Sequence, residues 1–384
     1  MALGAVYEAG LGRDAALRRR QTVTALGHYT QAIVRLQTAI QDGWRRSKAP
    51  PLAQQTSILW TTLFLGLFEV GLPVRHSPGA LCRWLTLQLI NDASGDGWRQ
   101  HMVHGTAEAL RAAGPGACAR GPGRAFFAQA RVFEACRTIL FNEPTFLTDG
   151  AWADLARGMW TAGRDDGDGD GDEWHPLDSL LDVMVMCSRL RVRAGTLMDG
   201  WDAGGGGDDD DDADEARAVC ADGEGLCEAL RCWREAYAAD STDDDTAIRD
   251  DDSTLLARVF YAATRIYLSG IFDYRRAEWT RRLHGGGGGG LMTVMLARDE
   301  VDAHVETILT LTGAALKGSS EGGRDGRGLS PVLFLFPLRV AGARAADKRR
   351  RARVVELLGR IRGEGFVVAA AIEGDLRGGV WRRG

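Results

Sequence analysis

WRQHMVHGTAEALRAAGP (Trp98–Pro115) and, after a glycine-rich break, AFFAQARVFEACRTILFNEPTFL (Ala125–Leu147) carry the clearest helical signal in the chain. Trp98, Met102, Gly105 and Ala109 fall on one face at helical spacing, and Gly105 leaves room for a neighbouring helix. Ala113-Gly114-Pro115 closes that helix with the residues that stop helices. Phe126, Ala130, Phe133 and Leu140 line the second helix with Cys136 and Ile139 beside them, and Pro144 forces the chain out of helical geometry. The stretch holds no nucleophile, no acid–base pair and no metal set. It reads as a helical core without chemistry.

The same period extends on both sides. Leu26, Tyr29, Ile33, Leu36 and Ile40 are spaced three or four apart, with Trp44 one turn further, and Pro50-Pro51 breaks the chain. Ile58, Leu59, Trp60, Leu63, Phe64, Leu67 and Phe68 make a helix apolar around most of its circumference, stopped by Gly71 and Pro73. Downstream, Leu177, Leu180, Leu181, Met184 and Cys187 form a stripe, and 226–237 is another helix. Asp252-Ser253-Thr254 is a start signal ahead of Leu256, Val259, Phe260, Ala263 and Tyr267. Leu291 to Leu316 marks a long helix, 331–338 an apolar turn or short helix containing Pro337, and 345–362 a basic helix followed by 366–376. No segment alternates with period two, so no strand is expected. The fold class is all-α, a multi-helix bundle or irregular helical array with disordered acidic and Gly-rich loops.

Composition agrees with a globular chain: 384 residues, 45% hydrophobic, with a mean hydropathy of -0.18. The formal net charge of -5 argues neither for nor against nucleic acid, but its distribution is uneven. Acidic runs occupy 165–173, 208–215 and 240–252, and 344–353 is strongly basic. Low-complexity insertions at 163–173, 203–215, 240–252, 285–290 and 318–328 cannot bury apolar surface. They are expected to interrupt one helical domain over 21–384 behind a short tail, 1–20. Seven scattered cysteines, an odd number, predict reduced thiols in an intracellular protein. The arginines of the first twenty residues follow the apolar part, the reverse of a secretory leader. The apolar run 58–68 is too short for a bilayer, so no membrane partner is expected.

Five places invite a chemical reading. Asp166, Asp168, Asp170 and Gly171 mimic the start of a calcium loop, where alternate oxygens reach one ion. The position that needs a bidentate Glu is Leu177, and a solvated loop is the plainer reading. Asp208–Asp212 is an aspartate-rich run of the kind helical prenyl-transforming enzymes use to hold magnesium, but it follows four glycines and has no second motif. His101 and His104 share a helical face yet lack a third ligand, and Cys220, Cys227 and Cys232 have no CxxC spacing. Packed histidines and small core thiols account for both. Lys348–Arg351 with Arg353 suits an import signal, a phosphate-contacting patch, or simply a solvated helix face. No catalytic, metal or cofactor residue is assigned.

HYTQAIVRLQ (28–37), ILWTTLFLGLFEV (58–70), WRQHMVHGTAEALRAAGP (98–115) and RVFEACRTILFNEPTFL (131–147) occur in an order that resembles the fungal-specific transcription factor domain. That domain lies downstream of binuclear zinc-cluster DNA-binding modules. FPLRVAGA (336–343) and GFVVAAAI (365–372) are similar to its C-terminal part. The resemblance implies an all-helical, non-catalytic regulatory domain of a nuclear transcriptional regulator. Its partners would be proteins of the transcription machinery or a homodimer partner. In that family a six-cysteine cluster near the N-terminus handles zinc and DNA. Residues 1–60 here contain no cysteine, so DNA contact is expected only through a zinc-cluster module absent from this chain. Two other readings stand beside it: a helical interaction scaffold with no transcriptional role, and a metal-dependent all-α enzyme using Asp208–Asp212.

Overall fold

A computed structural model describes residues 23–24, 27–28, 31–32, 34–35, 107–161, 176–202, 209–240, 252–283, 293–320, 329–364, 366 and 368–380. These residues hold helices, short 3-10 and π turns and connecting segments, and no strand occurs among them. The chain divides into two compact units, one of residues 1–134 with 358–384 and one of 135–357.

In the first unit, the described positions between 23 and 35 are helical, as the spacing there predicts. Helix α1 (Glu108–Ala113) stops at Gly114, whose φ of 75° a side chain would resist. A 3-10 turn (Pro115–Cys118) then leads into α2 (Gly121–Phe141). Gly123 opens α2 hard against the carbonyl oxygen of Ala117, leaving no space for a Cβ. Phe126 and Ala130 are completely buried along α2, on the face expected from their spacing, and Phe127 beside them is completely buried too. The C-terminal part of the unit carries α11 (Val368–Asp375), where Val368, Ala369 and Ile372 are buried, and a closing π turn over Leu376–Val380.

The second unit begins with the end of α2. It adds a 3-10 turn (Phe146–Thr148) and α3 (Gly150–Thr161), then α4 (Pro176–Asp202), α5 (Asp209–Asp240) and α6 (Asp252–Asp273). After these come α7 (Arg276–Leu283), α8 (Arg298–Ser320), α9 (Leu335–Arg344) and α10 (Lys348–Gly363), the last reaching into the other unit's residues. Helix α6 is the hub, packing on α4, α5, α7, α8 and α9. Leu255, Leu256, Val259, Phe260, Ala263, Ile266, Leu268, Ile271 and Phe272 are all buried, covering most of its circumference. A helix apolar nearly all round belongs inside. Its 254–273 stretch is the one among the described residues long and apolar enough to cross a bilayer, and 78% of its most apolar part is buried here. It is a core helix.

Aromatic contacts complete this core. Phe260 meets Phe336 of α9 edge-on at 4.9 Å, and Trp279 of α7 meets both Phe272 and Trp201 at 5.0 Å. Such edge-to-face pairs add about 0.5–1.5 kcal/mol each beyond area burial.

The helices reach into the expected low-complexity insertions. The acidic stretch 203–215 was expected as a disordered loop, but α5 starts at Asp209. Carboxylates in a first turn face the unsatisfied N–H groups and positive end of the helix dipole, so an aspartate run can begin a helix. Ala216, Val219, Cys220, Cys227, Leu230 and Trp233 then supply the buried stripe. Likewise α8 runs through Ser320, two residues into the expected insertion at 318–328. The acidic stretch 163–173 and the glycine hexamer 285–290 lie outside the described residues.

Candidate functional site

Polar groups in the second unit gather at two places. The first is the end of α2. Asn142 takes a left-handed conformation (φ 53°), and the Glu143 N–H closes on the Thr138 carbonyl, so the helix ends in a tight cap. Asn142 Oδ1 accepts from the Tyr267 hydroxyl at 2.8 Å, and Arg339 donates to the Leu140 carbonyl. Arg137, with its side chain 2% exposed, donates to Glu143 at 2.6 Å and to the Pro144 carbonyl at 2.9 Å. The sequence signal for this cap was Pro144; the ion pair that closes it was not foreseen.

The second lies where α4, α5, α6 and α8 face one another. Trp233 of α5 stacks on Tyr237 and on Tyr261 of α6, each at 5.2 Å, and donates from Nε1 to the Pro176 carbonyl at 2.8 Å. The edge of His304 on α8 approaches Tyr261 at 6.0 Å. Cys227 of α5 donates to the Val294 carbonyl at 4.0 Å, and the charge of half-buried Arg265 of α6 acts on Cys227, Cys187 and His304. Burial pushes both thiols up, so neither is a thiolate at neutral pH. Burial and then the charge of Arg265 pull His304 down to about 4, with Arg234 adding to the effect and Glu300 opposing it. At neutral pH the two thiols and the imidazole are therefore uncharged. Neither Arg265 nor His304 was singled out in the sequence. Two arginines, Arg258 and Arg265, inside the otherwise apolar run 255–272 were the available signal.

The predicted places fare as follows. His101, His104 and the Asp166–Gly171 run lie outside the described residues; Leu177 sits in the first turn of α4. Of Asp208–Asp212, Asp212 has a described side chain, and it pairs with Arg282 at 3.2 Å. Arg282 in turn lies 4.7 Å over the Trp201 ring, so this carboxylate links α5 to α7. Cys220 and Cys227 are buried whereas Cys232 is exposed and donates to Glu228 at 3.5 Å, so the three do not converge. Among the described residues no group of three or more His, Cys, Asp or Glu could hold a metal ion.

The basic run is folded into the start of α10. Asp347 caps it, accepting the Arg350 N–H at 2.8 Å, and that bond holds its carboxyl below the usual range. Arg350 reaches Asp302 at 2.9 Å, Arg353 reaches Glu306 at 2.8 Å, and Arg351 donates to the Ala345 carbonyl at 2.9 Å. Lys348 and Arg349 remain exposed. Three of the five cations of the candidate import signal thus serve the fold.

Among comparisons with known proteins, the family model described as fungal specific transcription factor domain matches residues 1–370, nearly the whole chain. No curated protein and no solved structure matches.

Proposed function

The chain belongs to the fungal-specific transcription factor domain family and so has the role of a transcription regulator; from that premise we propose that it is the non-catalytic regulatory and interaction domain of a nuclear regulator. It acts through protein partners or a second copy, and DNA is reached through a separate module rather than by these residues. The family match is the observation that carries this reading. The state of the described nucleophiles supports it. Cys118 and Cys220 are raised to about 11 by burial, Cys136, Cys187 and Cys227 are also raised, and exposed Cys232 is raised by its hydrogen bond to Glu228. A thiol above its ordinary value is a poor nucleophile at neutral pH. The absence of cysteine from residues 1–60 supports the assignment of DNA contact elsewhere.

The test is a fusion of the chain to an unrelated DNA-binding module over a reporter gene. Nuclear accumulation with a changed reporter level is expected. Strictly cytoplasmic residence with an unchanged reporter would remove the reading in favour of a scaffold without a transcriptional role.

A further inference from the structure

We propose that Thr196 of α4 is a phosphorylation site for an arginine-directed serine/threonine kinase, and that the phosphate loosens the end of α4 from α5. The stretch RVRAGTL (Arg191–Leu197) places arginines five and three residues before the threonine and an apolar residue directly after it. Kinases of this class read such a charge pattern with carboxylates, which a guanidinium fork matches. Thr196 is exposed, and its hydroxyl donates to the Val192 carbonyl of its own helix at 3.2 Å.

A kinase takes its acceptor in an extended chain, so the end of α4 must open, and its residues favour that. Gly195 and Gly200 flank Thr196, and a Cβ at either would meet nothing within 4 Å, so packing does not demand glycine there. Each weakens the helix about fourfold relative to alanine. Asp199 and Asp202 stand toward the negative end of the helix dipole, and the last turn holds no basic residue. Tertiary contacts hold this end instead. Arg193 meets Glu215 of α5 at 2.5 and 3.0 Å and Asp222 at 2.5 Å. Arg275 meets Asp202 at 2.6 Å and the Met198 carbonyl at 3.3 Å. The Arg193 side chain is 36% exposed, and surface pairs of this kind exchange partners at little cost. Opening from a helix end also takes less free energy than unfolding the whole unit.

In the transfer, the Thr196 hydroxyl oxygen bonds to the γ-phosphorus of ATP and the bond from that phosphorus to the bridging oxygen breaks. ADP leaves with the electron pair, and the hydroxyl proton passes to a carboxylate of the kinase. The product carries a charge of about −1.5 to −2 at neutral pH. Three residues after Arg193 and three before Asp199, the phosphate competes with Glu215 and Asp222 for the guanidinium and repels the aspartate. The contacts between α4 and α5 weaken as a result.

The full chain is incubated with ATP and a purified kinase selective for arginine three and five residues before its acceptor. The phosphate is then located by mass spectrometry of peptides, because Arg19 stands three residues before Thr22 as well. Phosphate on Thr196 is expected, and Thr196→Ser should keep it. Gly200→Ala restores helix propensity outside Arg191–Leu197 and should slow the modification about fourfold. Glu215→Gln combined with Asp222→Asn frees Arg193 and should speed it about threefold. The phosphorylated chain should unfold at a lower urea concentration than the unmodified one. No phosphate on Thr196, or equal rates in wild type and both variants, overturns the proposal. An unchanged urea midpoint after modification overturns the loosening of α4. All of this is read on the purified chain, so failure here is distinct from failure in the reporter assay.

Discussion

Gly223 stands where α5 approaches α6, and a Cβ built there would lie 2.9 Å from Cζ of Phe272 and 3.5 Å from Cγ2 of Val294. Phe272 cannot retreat, being fully buried and packed against Trp279. Gly223→Ala should therefore cost about 1–2 kcal/mol, the overpacking penalty outweighing the gain in helix propensity. Gly225, two residues on, is exposed with open space around its Cα, so Gly225→Ala should stabilise by up to about 1 kcal/mol. Urea midpoints of the two variants check the pair. His304 supplies a second residue-level prediction. Its folded value of about 4 lies below the ordinary imidazole value of 6.5 because burial and Arg265 disfavour the charged form. The unfolded chain thus binds the proton more readily, and stability contributed above about pH 6.5 is lost as the pH falls toward 4. The loss by pH 5 should be on the order of 1–2 kcal/mol, allowing for partial exposure. His304→Gln should flatten the stability profile between pH 7 and pH 5, and an unchanged slope would count against the assignment. Neither effect can be read from the sequence: Gly223 is one glycine among 50, and His304 one polar residue on a long helix.

Helix ends in this protein are secured by charged groups rather than by propensity alone. At the end of α2, Arg137 is fully buried and answered by Glu143, six residues later. Removing the acid takes from the buried guanidinium its carboxylate partner at 2.6 Å, and breaking a buried pair is expensive. Glu143→Ala should therefore destabilise by about 2–4 kcal/mol, while Glu143→Gln, which keeps one acceptor, should cost less. Chemical denaturation at equal ionic strength measures both, and a cost under about 0.5 kcal/mol for the alanine variant would show that the pair is dispensable. Legibility at this scale is uneven. The stop at Gly114-Pro115, the exit at Pro144 and the start at Asp252 were legible because each depends on one residue's own backbone limits. The start of α5 at Asp209 was not. An aspartate run is equally consistent with a solvated loop until a buried stripe and Arg282 are brought to it.

For the whole molecule, helical period already specifies an all-α fold, the resemblance carried by the order of its motifs implied a regulatory domain, and the family match over residues 1–370 agrees. This is as physics requires. Amphipathic period and stop residues are local properties, written within a few turns of the helix that expresses them. The start signal and stripe of α6 were legible as a helix, whereas its place at the centre of the core emerged only from packing. Tertiary structure alone decided which polar groups meet. It brought the charge of Arg265 to bear on Cys187, Cys227 and His304, residues of four helices from α4 to α8. It also turned the basic run of α10 from an apparent signal into partners for Asp302 and Glu306. A charge in a sequence is only an electrostatic possibility. Its cost and its use depend on burial and on the groups brought within a few ångströms, and those are set when the helices pack.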